Sequence, residues 1–218
     1  MLLPKKYISV SQINLWYSDR QKYINRYFLN IPEEPSIYMD FGKRFAEDTE
    51  AFIKNGIIME TFPDFYIDKI QSFKGLEAEK PISLSINDIQ VVGYIDAWDR
   101  ENNRVIDFKT SGRPWTMHTL YNSLQMKVYA LAMFVNGDTI PESQINWLGT
   151  KMTKNGLSFT GESYELNHTF EMDDLLKAIV DALNEAKKMY AEEIEKAFKK
   201  GYSRGYVERA NLGTSIYK

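Results

Sequence analysis

A chain of 218 residues, 44% hydrophobic and 26% charged, has the size and composition of one globular domain with a buried core, and not of a fibrous or disordered chain. Its formal charge of −3 argues against a protein that grips a long duplex by a uniformly basic surface, so any nucleic-acid contact must be a local patch or work through bound metal. The absence of cysteine excludes disulfides, cysteine-held zinc and cysteine-held iron–sulfur clusters, and fits a cytoplasmic setting.

The segment Met1–Ser11 carries lysines but neither a long apolar stretch nor a small-residue cleavage site, so it does not read as a signal peptide. Ser11 is placed to cap a helix from about Gln12 to Leu29, with Ile13, Trp16, Tyr17, Tyr23, Ile24, Tyr27 and Phe28 as its apolar surface. Pro32 and Pro35 break the chain. A second helix is expected over Asp40–Lys54. Phe41, Phe45, Thr49, Phe52 and Ile53 recur at helical spacing there, and Asn55-Gly56 ends it.

Strand patterns follow over Leu76–Ile86, Gln90–Trp98 and Arg104–Lys109, separated by turn chemistry at Asn87-Asp88 and Arg100–Asn103. After Ser111-Gly112-Arg113-Pro114, a helix is expected from Thr116 to Phe134. A strand pair, Ile145–Met152 and Leu157–Leu166, turns at Lys154-Asn155-Gly156, and a long helix runs from Asp173 to about Lys200. The glycine-containing tail from Gly201 to Lys218 shows little periodicity.

This order predicts an α/β fold: a mixed central β-sheet, made of an antiparallel meander plus further strands, flanked by helices. One domain is expected over 1–218, with an N-terminal helical segment (1–35), a core (36–170) and a C-terminal helix and tail (171–218). No apolar run has the length of a membrane span, so no membrane partner is expected. Lys5 and Lys6, the Arg20–Arg26 stretch and the Lys199–Lys218 tail are candidate basic patches, each more simply a solvated charged surface. His118 and His168 match no metal spacing and read as ordinary surface or helix-start residues.

The informative segment is Gly93-Tyr94-Ile95-Asp96 followed by Val105-Ile106-Asp107-Phe108-Lys109-Thr110-Ser111. Alternate residues of a strand share a face, so Asp107 and Lys109 point the same way. If Glu101-Asn102 is the hairpin turn, Asp96 lies opposite Asp107; if Asn102-Asn103 is, Asp96 lies opposite Lys109. Either register puts all three on one face, and a one-residue slip would separate them. In the first register two carboxylates stand roughly 5 Å apart at Cβ. Partial burial makes that repulsion worse, so a cation must offset it. Lys109 supplies one charge and a divalent metal supplies two; oxygen ligands suit Mg²⁺ or Mn²⁺. An exposed Asp–Lys pair on an ordinary sheet is the bland alternative. Apolar Ile95, Ile106 and Phe108 weigh against it, because they make the hairpin interior.

Gly-x-x-Asp, then Asp-x-Lys-Thr, then Gln125-Met126-Lys127-Val128-Tyr129 resembles the PD-(D/E)XK nuclease superfamily, in its branch of RecB-type and CRISPR adaptation nucleases. The resemblance implies a restriction-endonuclease-like fold. Asp96 and Asp107 would bind metal together with the backbone carbonyl of Phe108, and Lys109 would be catalytic. Gln125 and Tyr129, four apart on a helix, would look into the site. The family's first motif, Gly-x-x-apolar-His-x-x-x-Glu, aligns as Gly42, Phe45, Ala46 and Glu50. Alanine thus replaces a histidine that usually ligates metal, while Glu50 remains as an expected ligand. The four iron–sulfur cysteines of some relatives are absent.

The expected activity is a Mg²⁺- or Mn²⁺-dependent deoxyribonuclease, an exonuclease on duplex ends or single-stranded DNA in recombination, repair or phage replication. Its expected partners are DNA and a helicase or recombination protein. The alternative is a weakened nuclease fold that only binds nucleic acid or a partner.

Overall fold

The structure, a computed structural model, describes residues 7–27, 29, 31–34, 36–59, 62–86, 89–137 and 139–199. Lys5, Lys6, Phe28, Pro35, the Asn87-Asp88 turn and the tail beyond 199 lie outside the described residues. The elements in chain order are β1 (Tyr7–Ser9), α1 (Val10–Ser18), α2 (Arg20–Tyr27), α3 (Ile37–Asn55), a 3-10 turn (Asp64–Tyr66) and α4 (Ile67–Gln71). Next come β2 (Glu77–Ile86), β3 (Ile89–Asp99), β4 (Arg104–Ser111), α5 (Met117–Tyr121), α6 (Leu124–Val135), β5 (Glu142–Thr153), β6 (Gly156–His168) and α7 (Met172–Lys199). Six strands form one mixed sheet in the order β1-β3-β4-β5-β6, with β2 also paired to β3. The chain divides into two compact units, Met1–Glu33 with Ser83–Gly93 and Asp173–Lys218, and Glu34–Ile82 with Tyr94–Met172.

In the first unit β1 runs parallel to β3, with Ile8 beside Val91. The cap of α1 is Ser9, not Ser11: Ser9 Oγ accepts from the Gln12 N–H (3.2 Å) and the Ser9 N–H donates to Gln12 Oε1 (2.6 Å), a reciprocal capping box. The expected single helix Gln12–Leu29 is two helices. At Asp19 the backbone leaves helical geometry, and its carboxylate accepts from the Lys22 N–H (2.9 Å), restarting the chain as α2. Trp16 and Tyr23 meet edge to face across that break. Arg20 pairs with Glu192, and both Lys22 and Arg26 pair with Glu33, so the Arg20–Arg26 stretch is matched by acids. Leu175, Ile179, Ala182 and Leu183 form the buried stripe of α7. No helix of the described residues is long and apolar enough to cross a membrane.

In the second unit β3 and β4 are antiparallel, β4 and β5 parallel, and β5 and β6 antiparallel about Lys154-Asn155. A parallel neighbour requires a crossover, which α5 and α6 occupy. The expected helix Thr116–Phe134 is therefore two helices, each with its own cap: Thr116 accepts from the Thr119 N–H and Ser123 from the Met126 N–H. Helix α3 starts earlier than expected, at Ile37, and ends as expected at Gly56, whose φ of 69° is the left-handed conformation glycine adopts freely.

Alternation along β4 sends Ile106 and Phe108 to one side. There, with Ala97 and Leu148, they pack on Phe45, Phe52 and Ile53 of α3 and on Phe62, Tyr66, Ile70 and Phe73. Burial of each such side chain stabilises by about 1.5–3 kcal/mol. The short elements β1, the 3-10 turn and α4 were not expected. They offer too few residues for a period to register.

Candidate active site

The pairs Ala97–Ile106, Trp98–Val105 and Asp99–Arg104 set the β3–β4 register. Continued by one step, this register brings Asp96 level with Asp107, the first of the two alternatives. The turn spans Arg100–Asn103. Asp99 holds it by accepting from the Asn102 N–H (3.1 Å) and pairing with Arg104 (2.9 Å), and Asn103 takes φ 48°. Asparagine tolerates that left-handed conformation better than most residues. Ile95 and Ile106 are fully buried on the core side, and Asp96, Asp107 and Lys109 leave the sheet on the other.

Helix α6 closes over that second side and is buried almost all round. Its first turn delivers Gln125. The amide nitrogen of Gln125 donates to Asp107 Oδ1 (3.0 Å) and to the Tyr129 hydroxyl (2.9 Å), and its carbonyl oxygen accepts from Lys109 Nζ (3.3 Å). One amide thus orients an acid and a base at once, and all three contacts require the same amide orientation. Lys109 Nζ also pairs with Asp107 Oδ2 at 2.7 Å. That oxygen is buried. Asp96 Oδ2 accepts from the Phe108 N–H (2.9 Å).

The electrostatics are crowded. Burial and then Asp107 push Asp96 up to about 7, against Lys109 and the Phe108 N–H, which pull it down. Burial raises Asp107 as well, with Lys109 opposing. Burial alone would lower Lys109, but Asp107 and Asp96 outweigh it and hold the ammonium above its usual range. The Tyr129 hydroxyl is raised by burial and by Asp107, so it remains a neutral phenol.

The sequence profile of the PD-(D/E)XK nuclease superfamily matches residues 59–201, well over half of the chain. The chain belongs to the PD-(D/E)XK nuclease superfamily. Its fold is similar to that of a Eubacterium rectale protein described as an exonuclease, at TM-score 0.52 and 11% identity, covering 85% of this chain and 80% of that one. A phage-related exonuclease from Haemophilus somnus 129PT aligns at TM-score 0.42 and 14% identity, over 87% and 96% of the two chains. No curated protein sequence matches.

Within this PD-(D/E)XK frame the structure brings Asp96, Asp107, Lys109, Gln125 and Tyr129 together. It does not bring Glu50 into a cluster with the two aspartates: Glu50 pairs with Lys54 on its own helix, and Ala46 is exposed. His118 lies against Asn122, and His168 packs edge to face with Tyr121 and Phe170, all within the second unit and apart from the acids.

Sequence reasoning missed Glu79. It lies on β2, half-buried, and it feels both the Glu50 and the Asp107 charges, with burial the largest influence raising it. Its φ of 50° is unusual for a residue with a side chain, and such strain concentrates at functional positions. One of two neighbouring acids, Glu77 and Glu79, at the start of a strand carried no signal of this.

Members of the superfamily generally use divalent metal ions. The donor chemistry here fits one. Asp107 Oδ2 is buried against the Lys109 ammonium, and the acids exceed that single ammonium. Among the described residues no three His, Cys, Asp or Glu side chains group as a metal cage.

Proposed function

We propose that this chain is a metal-dependent deoxyribonuclease that hydrolyses phosphodiester bonds at DNA ends or on single strands. The setting is recombination, repair or phage replication, where it acts alone or beside a helicase or recombination protein. The observation that carries this reading is the convergence of the buried Asp107 and Asp96 carboxylates on the single Gln125-held Lys109 ammonium. The exonuclease description of the Eubacterium rectale fold neighbour supports action at ends.

In this reading Asp96, Asp107 and the Phe108 carbonyl would hold Mg²⁺ or Mn²⁺, which when bound would supply Lewis-acid polarisation of the phosphodiester and a more acidic water. Lys109, kept protonated by the two acids, orients that water and stabilises charge growing on the phosphate oxygens. Gln125 fixes the ammonium relative to Asp107, and Tyr129 fixes Gln125, so the charges are arranged before substrate arrives.

The test is incubation of the purified protein with end-labelled single- and double-stranded DNA in Mg²⁺ and in Mn²⁺, with Lys109→Ala as control. Metal-dependent cleavage lost in the variant is expected; equal cleavage by the variant would sink the assignment. A second reading, a nucleic-acid binding module without cleavage, draws on Ala46 and the pairing of Glu50 with Lys54, which leave the site short of ligands. DNA binding without cleavage in either metal would establish that reading instead.

A further inference from the structure

Tyr94 lies two residues before Asp96 on β3, so alternation sends its ring out on the face that carries Asp96. Its neighbours show the alternation: Ile95 and Ala97 are wholly buried, whereas Tyr94 is 59% exposed, the most exposed aromatic side chain among the described residues. The β3–β4 register, continued, sets Tyr94 level with Lys109. Backbone pairing between the two strands runs from Asp99–Arg104 to Ala97–Ile106 and stops short of them. Among the described residues the Tyr94 ring and hydroxyl have no hydrogen-bond or ring partner. A tyrosine that packed in the core would remove about 150–250 Å² from water. Here that surface is left open beside the reacting residues.

The charge balance gives this ring a task. The chain is net acidic, and Asp96, Asp107 and Glu79 outnumber Lys109 at the site. Side chains therefore offer the phosphates little attraction beyond Lys109, and a contact indifferent to charge adds grip that they lack. Every nucleobase has an aromatic face that stacks, and stacking on tyrosine is independent of sequence. Within a duplex both faces of an internal base are already covered, so the ring is open only to an unpaired or terminal base.

We propose that Tyr94 is a base-stacking platform. An unpaired nucleobase next to the scissile phosphate lies on its ring and positions that phosphate at Asp96, Asp107 and Lys109. This rests on the nuclease reading and deepens it, because it names single-stranded or frayed ends as the substrate class. Tyr94 is a positioning residue whose contribution enters through the base, not through the phosphate.

The test compares Tyr94→Ala and Tyr94→Phe with the parent, first for cleavage. Binding is then measured in a Lys109→Ala background, in Mg²⁺, by fluorescence anisotropy with a labelled oligothymidylate and the same backbone made abasic. Tyr94→Ala is expected to weaken oligothymidylate binding about tenfold or more and abasic binding hardly at all, with Tyr94→Phe close to the parent. In cleavage it is expected to raise KM on single strands at unchanged melting temperature. Equal loss on both backbones, or no loss on either, would overturn the stacking role, while cleavage by the parent leaves the nuclease reading intact. Neither cleavage nor binding of any DNA by the parent would overturn both.

Discussion

The Phe108 N–H donates to the Asp96 carboxylate across 2.9 Å at the place where backbone pairing between β3 and β4 gives out. A side chain of one strand thus takes up an amide of the next. The contact ties the position of Asp96 to the strand that carries Asp107 and Lys109, and it pulls down an acid that burial and Asp107 push up. The acids are arranged by the sheet itself, before any ligand is present.

Lys109→Ala is expected to reduce kcat by at least about 10²-fold, because the ammonium acts on charge that develops only during reaction. Circular dichroism and DNA affinity should stay close to the parent. Unchanged kcat would remove Lys109 from the mechanism.

Asp107→Asn removes a charged donor and the repulsion that calls for a cation, so Mn²⁺ affinity should fall strongly. Titration calorimetry checks this; an affinity equal to the parent would place the metal elsewhere.

Gln125→Ala breaks contacts to Asp107, Lys109 and Tyr129 together. Partners that orient metal-binding groups are each worth roughly 10–100-fold, and kcat should fall by about that factor with little change in KM. Tyr129→Phe removes only the hydroxyl behind Gln125 and should cost less. The two variants' steady-state kinetics decide the ranking.

The metal-free protein should lose stability as pH rises from about 4 toward about 7. In that window the unfolded chain has released the Asp96 proton while the folded protein, with Asp96 near 7, still holds it. The raised acid therefore stabilises the fold fully below the unfolded value, and that contribution is gone once pH passes the folded value. Metal binding has the opposite sign: Mg²⁺ competes with the proton, so its affinity should strengthen through pH 7. Thermal melts of the parent and Asp96→Asn across this range test it, since the variant should show both slopes reduced to what Asp107 contributes.

Glu79→Ala should raise the Mg²⁺ concentration needed for half-maximal cleavage more than Glu50→Ala does, because Glu79 feels the Asp107 charge while Glu50 is occupied by Lys54. Mg²⁺ and Mn²⁺ should support comparable rates, since the donors are all oxygen. Strict Mn²⁺ dependence with a harmless Glu79→Ala would relocate the metal.

Much of the fold was legible because long periodic runs leave little freedom. The apolar spacing of Phe45, Phe52 and Ile53 marks α3, and strand alternation puts Asp107 and Lys109 on one face, with Asp96 joining them in either hairpin register. The order Gly-x-x-Asp, Asp-x-Lys, Gln-x-x-x-Tyr carried the family, since those spacings are set by local geometry. Breaks inside helical patterns were hidden. Asp19 and Ser123 each cap a new helix, but a short polar residue within an apolar run looks the same whether or not its side chain captures a free N–H.

What the sequence by itself determined is which residues share a strand face or a helix edge, a matter of bond geometry over a few residues. Only tertiary structure decided that the Gln125 amide bridges Asp107 and Lys109, and that Glu79 from a separate strand enters the field of the acids. Those outcomes depend on the β3–β4 register, the parallel β4–β5 pairing and the packing of α6. Each joins residues distant in the chain, and their energies depend on burial, which no local pattern specifies.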